Sequence, residues 1–177
     1  DNAYSEITFD GFIAPSILQI EGAKEIAVEI GSFSKTFSFA GFRMGWIVVK
    51  RDVISTLSKL KSQIDSGMTT PLQKLGAFAL TNFDSNWHQQ MITIYQKRRQ
   101  IIGEYLKKIG LKFNLNLGSL YIWAKIPDLA KDTESFCMKM LKETTQWIQC
   151  APQPNLQLPP LRRPDSLLKF SVHGVKA

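Results

Sequence analysis

The alternation of apolar and polar positions predicts a chain of short buried strands and amphipathic helices. Glu25–Ile30 and Trp46–Val49 are short apolar runs bounded by turn residues, as expected of strands. Lys50-Arg51-Asp52 leads out of the second of them. Val53, Ile54, Leu57, Leu60 and Ile64 then recur at steps of three and four, which predicts a helix over 52–65 with one apolar stripe. Ser66–Pro71 interrupts the pattern and starts another helix, with Thr70 as its cap and Pro71 at the first helical position, continued by Leu72, Leu75, Phe78 and Leu80. After a turn at 82–85, the longest helical period runs from Trp87 to Ile109, through Met91, Ile94, Tyr95, Ile101, Ile102, Tyr105 and Leu106. Gly110 stops it. Two strands, 111–113 and 120–124, follow around the turn at 116–119. Asp132-Thr133-Glu134 opens a last helix whose buried side is Phe136, Met140 and Leu141.

Composition changes this picture little. The 177 residues are 44% hydrophobic and 21% charged, an ordinary balance for a globular protein. The formal net charge is +7, but the basic residues are dispersed over helix faces, which argues against nucleic acid as a partner. Lys97-Arg98-Arg99 reads as a solvated face. Cys137 and Cys150 have no metal-ligand spacing, so both read as small apolar packers in a reducing, cytoplasmic setting, and no metal is expected. No run reaches the roughly 18 apolar residues of a membrane span, so no membrane partner is expected.

Candidate chemistry is concentrated in Gly31–Trp46, at the end of the first predicted strand. Ser32 and Ser34 can donate to an anion, Arg43 can clamp one with a bidentate fork, and Lys35 carries an amine able to form an imine. Taken alone, that lysine reads equally as a solvated charge in a polar turn. The pattern Ser32-x-Ser34-Lys35, followed by Gly41-x-Arg43-x-Gly45-Trp46, resembles the cofactor-lysine segment of class I/II aminotransferases, pyridoxal-phosphate enzymes of fold type I. Asp1-Asn2-Ala3-Tyr4 resembles the same family's D-x-A-Y segment, and the two stand in family order.

The resemblance implies an α/β fold: residues 1–100 as the C-terminal part of the cofactor-binding large domain, with a mostly parallel sheet and helices, and 101–177 as a small α+β domain. It implies pyridoxal 5'-phosphate held as a Schiff base on Lys35, the catalytic residue. Asp1 would pair with the ring nitrogen and Tyr4 with the ring's phenolic oxygen. Ser32, Ser34 and Arg43 would bind the phosphate, with Arg43 also lowering the lysine's pKa. The activity implied is transfer of an α-amino group between an amino acid and a 2-oxo acid. The F-S-K-T-F form and the Ile64–Gln73 run resemble most the members acting on alanine, aspartate or LL-diaminopimelate. Acyltransferases, decarboxylases and lyases of the same fold type share the lysine and aspartate and stand as the alternative.

The small domain's Asn114-x-x-x-Gly118-Ser119-x-Tyr121-x-Trp123 resembles the family's strand pair that closes over substrate. Beyond about residue 144 the pattern departs from the family. Cys150–Pro154 and Leu158–Pro164 replace the expected glycine loop, and the last thirty or so residues are atypical, as a frame-shifted reading would also make them. Lys169-Phe170-Ser171 resembles the end of the strand bearing the arginine for the substrate's α-carboxylate, with Lys169 in its place. Arg162 and Arg163 are alternative clamps or loop charges. Starting inside a family motif, the chain reads as a C-terminal fragment, inactive in isolation. The complete protein is expected to be a homodimer. Thr69–Gln73 falls near the family's dimer contact, though as residue chemistry it is a helix start. Phe37, Phe39 and Phe42 need cover either from a second subunit or from the same chain.

Overall fold

The computed structural model describes residues 1–127, 132–143 and 167–171. They divide into two compact units between Ile92 and Thr93, within the long helix.

In the first unit, Asn2 and the turn after it lead through Ile7 and Phe9, both almost fully buried. The turn at Asp10-Gly11 forms as expected, with both residues in the left-handed region. Ser16 caps a 3₁₀ turn at Ile17–Gln19. The run predicted as one strand divides in two. Gly22, at φ 75°, starts a single helical turn, α1 (Ala23–Ile26), and only then does β1 (Glu29–Ser32) begin. The local i→i−4 bond from Ala27 N–H to the Ala23 carbonyl outweighs extension there, and Ile26 points to solvent.

A one-turn helix, α2 (Phe33–Thr36), follows β1 without a break. A 3₁₀ turn at Ala40–Phe42 then leads into β2 (Gly45–Val48). β1 and β2 are antiparallel, with Gly31 opposite Trp46 and Ser32 opposite Gly45. The described strands therefore contribute antiparallel pairs only, and the parallel sheet expected of the large domain is not formed among them.

Helix α3 (Arg51–Ile64) forms where the period places it, but it has no buried residue: Val53, Leu57, Leu60 and Ile64 are all exposed. Helix α4 (Thr70–Thr81) is capped by Thr69 rather than Thr70. The Thr69 carbonyl accepts from Leu72 and Gln73, its side chain makes no cap bond, and Pro71 lies within the first turn. Gly76 and Ala79 are the buried positions of α4, because Phe33 and Met44 approach its backbone closely. Phe33, Met44 and Ala79 make a core cluster on which Phe37, Phe39, Trp46 and Leu72 pack.

Helix α5 (Ser85–Lys108) is the long helix. Gly110, at φ 76°, ends it while Gly110 and Leu111 donate back to the Lys107 and Leu106 carbonyls, a left-handed stop that glycine accommodates without a Cβ penalty. Arg99 is not on a solvated face: it is only 4% exposed, whereas Lys97 is exposed and Arg98 half-buried.

In the second unit, β3 (Lys112–Phe113), β4 (Tyr121–Lys125) and β5 (Leu167–Ser171) form an antiparallel sheet in the order β3-β4-β5. Helix α6 (Thr133–Glu143) is capped by Asp132, whose carboxylate accepts from the Ser135 N–H at 2.7 Å and from its hydroxyl at 2.8 Å. Phe136, Cys137 and Met140 pack with Ile126. Cys150, Arg162, Arg163 and the proline-containing segments around them lie outside the described residues.

Candidate active site

Alternation along β1 decides which residues reach the site. Glu29 and Gly31 face inward, so Ile30 and Ser32 face the other way, and Ser32 arrives half-exposed at the strand's end. Its extended backbone lets the hydroxyl oxygen accept from the Ser34 N–H at 3.1 Å, which makes Ser32 the cap of α2. Lys35 therefore sits on a helical turn rather than in an open loop. Burial of Phe33 and Thr36 orients that turn and leaves Ser34 and Lys35 half-buried on its other side.

The N-terminal motif meets this turn. The Asn2 N–H donates to the Ile30 carbonyl at 2.7 Å, laying residues 1–4 along β1 as a turn instead of the end of a strand of their own. The Lys35 ammonium then stands over the Tyr4 ring, 5.6 Å from its centroid, within cation–π range. Asp1 is exposed and half-buried Asn2 is its neighbour.

Arg43 is brought to the same end of the sheet by the β1–β2 register, since Phe33 N–H donates to the Met44 carbonyl at 3.2 Å. Its backbone is left-handed (φ 53°, ψ 46°) and its side chain is exposed, with Nη1 donating to the Ala40 carbonyl at 2.9 Å. The guanidinium thus keeps donors available for an anion. Lys169 belongs to the second unit, on β5, in register with Trp123 of β4.

Phe37 and Phe39 find cover in their own chain. Phe37 lies 5.4 Å from Phe33, 5.8 Å from Phe39 and 5.9 Å from Phe83 between ring centroids, and of the three only Phe42 is exposed, at 46%.

Two features escape sequence reasoning. Glu29, 7% exposed, is a buried carboxylate accepting from Ser16 Oγ at 2.6 Å and from the Ile17 N–H at 3.1 Å. A cleft of about 340 Å³ opens beside Ser32, between Asn2, Thr36, Trp46, Leu80 and Phe83. The only signal for Glu29 was a charge inside an apolar run.

The family model for aminotransferase class I and II matches residues 1–173. The chain belongs to the class I and II aminotransferases. It is 42% identical over 134 residues to an LL-diaminopimelate aminotransferase of Halothermothrix orenii, covering 76% of this chain and 34% of that protein. The glutamate-pyruvate aminotransferase AlaC of Escherichia coli is 37% identical over 145 residues, 81% of this chain and 35% of that one. The chain thus spans about a third of the length of the curated relatives it matches. Among solved structures, an aminotransferase from Staphylococcus aureus superposes with a TM-score of 0.80 at 29% identity, over 96% of this chain and 43% of that one. An aromatic aminotransferase from Pyrococcus horikoshii shares the fold, with a TM-score of 0.85 at 24% identity, over 96% of this chain and 44% of that one. The α/β fold of this chain is therefore that of fold type I. Among its described residues no helix is long and apolar enough to cross a membrane.

Proposed function

We propose that this chain carries the cofactor lysine of a pyridoxal-phosphate aminotransferase that moves an α-amino group between an amino acid and a 2-oxo acid. The observation that carries the reading is the Lys35 amine over the Tyr4 ring, which joins two motifs distant in sequence. The donor set fits the cofactor. An amine able to form an imine and two hydroxyls lie at or just after the end of β1, with a tyrosine beside the amine, and Arg43 stands just before β2.

Lys35 would hold the cofactor and, as a free amine, carry a proton to and from the substrate's α-carbon. Asp1 would keep the ring nitrogen protonated by opposite-charge pairing, and Tyr4 would bond the ring's phenolic oxygen. Ser32, Ser34 and Arg43 would take the phosphate, the arginine by a bidentate fork once it leaves the Ala40 carbonyl. Lys169 would meet the substrate's α-carboxylate as a point charge. When bound, pyridoxal phosphate supplies an electron sink for negative charge developing at the α-carbon.

The relatives' names support LL-diaminopimelate or glutamate as amino donor and pyruvate as acceptor, and the motif resemblance adds alanine and aspartate as donors and 2-oxoglutarate as acceptor. The complete enzyme would act as a cytoplasmic homodimer, C₂ being the commonest closed symmetry. The test is transfer by the full-length protein from a panel of these donors. Lys35→Ala is expected to lower the best rate by on the order of 10³-fold or more. Release of CO₂ or ammonia without transfer would overturn the reading in favour of a decarboxylase or lyase, and absence of any turnover would favour a non-catalytic chain.

A further inference from the structure

We infer that Glu29 is a positioning residue that fixes the Asp1–Tyr4 segment against Lys35; this rests on the cofactor role proposed for both.

Glu29 and Ile30, successive residues of β1, hold Asn2 at two points. The Ile30 carbonyl accepts from the Asn2 main chain at 2.7 Å, and Glu29 Oε1 accepts from its side-chain amide at 3.5 Å. The Ser5 N–H to the Asn2 carbonyl at 3.3 Å and the Ile7 N–H to the Tyr4 carbonyl at 2.9 Å close the turn on itself without attaching it to β1. The second contact, at the long end of hydrogen-bond range, fixes the direction in which the neighbouring residues Asp1, Ala3 and Tyr4 leave the strand.

The other carboxylate oxygen anchors Glu29 itself. Oε2 accepts from the Ser16 hydroxyl at 2.6 Å and from the Ile17 N–H at 3.1 Å, so the oxygen facing Asn2 is held in place. Glu29 therefore closes the excursion between Asn2 and Ser16 onto β1, with Ile7 and Phe9 buried inside it. A carboxylate this buried is tolerated because three donors from two segments face it. It acts through the segment that places the Tyr4 ring 5.6 Å from the Lys35 amine.

Glutamine at position 29 keeps the shape but has a single oxygen for three donors, and its amide nitrogen faces one of them. In the full-length protein, Glu29→Gln and Asn2→Ala should each weaken pyridoxal phosphate binding roughly tenfold. Each should also move the pH midpoint of the absorbance of the Lys35–cofactor adduct by at least about half a unit in the same direction, and the double variant should move little further than the larger single. A merely structural glutamate would lower Tm and leave the midpoint alone. A Glu29→Gln protein with reduced Tm but with binding within about twofold of wild type and an unshifted midpoint would overturn the inference. Should Glu29→Gln fail to fold, Asn2→Ala, which leaves the bonds to Ser16 and Ile17 in place, decides in the same way. A wild type lacking the Lys35 adduct would overturn the functional reading and this inference together; an adduct present in the wild type and unmoved in the variants would overturn this inference alone.

Discussion

Gly31 lies beneath the Trp46 indole across the β1–β2 pair, so a Cβ added there would fall within the ring. Gly31→Ala must therefore push the indole aside next to Ser32, and is expected to destabilise the protein by about 1–3 kcal/mol. Urea denaturation followed by tryptophan fluorescence measures this; an unchanged midpoint would show that Trp46 moves away at no cost. Residues with a distinctive chemical type, such as Lys35, Ser32 and Arg43, stand out in the sequence as candidates because their spacing is a motif. Roles set by register do not. That Gly31 makes room for Trp46, or that Glu29 faces inward to Ser16, depends on which side of a strand a residue occupies and what lies opposite. Arg99 misled for a related reason: the helical period gives it an angle but not a neighbouring surface, and it is buried.

At the scale of elements, the long periodic helices were readable because many positions vote together. α3 and α5 fall within a few residues of their expected limits. Short elements were not, since a single turn is settled by one or two local bonds. α1 replaced the first half of a predicted strand, and Thr69 rather than Thr70 caps α4. Local bonds also give two predictions. Asp132 caps α6 through two bonds to Ser135, so Asp132→Ala is expected to cost about 0.5–2 kcal/mol, read as a lowered Tm. At the end of α3, the Asp65 carboxylate accepts from Lys61 Nζ at 2.6 Å and from the Gly67 N–H at 2.8 Å, and these bonds hold its pKa below the usual aspartate value. A depressed carboxylate pKa contributes stability above the unfolded value that is lost as pH falls through the folded one. The α3 terminus should therefore loosen only in strong acid, and Lys61→Ala should raise the Asp65 pKa in an NMR titration. A pKa unaltered by that substitution would contradict the assignment.

Over the whole molecule, the fold class and the family were carried by motifs near Asp1 and Lys35, and the match to residues 1–173 agrees with them. The apolar stripe of α3, by contrast, predicted the helix, and its residues are exposed: periodicity marks a face that is suited to cover without supplying it. The proposed homodimer is checked by light scattering on the full-length protein, where twice the chain mass is expected and an active, concentration-independent monomer would refute it. The central claim is that Lys35, beside Tyr4, is the residue that holds pyridoxal phosphate. The most direct measurement is borohydride reduction of the cofactor-loaded full-length protein, followed by proteolysis and mass mapping. The account predicts a single reduced phosphopyridoxyl group on the peptide containing Lys35, absent from Lys35→Ala; a group on another lysine, or none on Lys35, would contradict it.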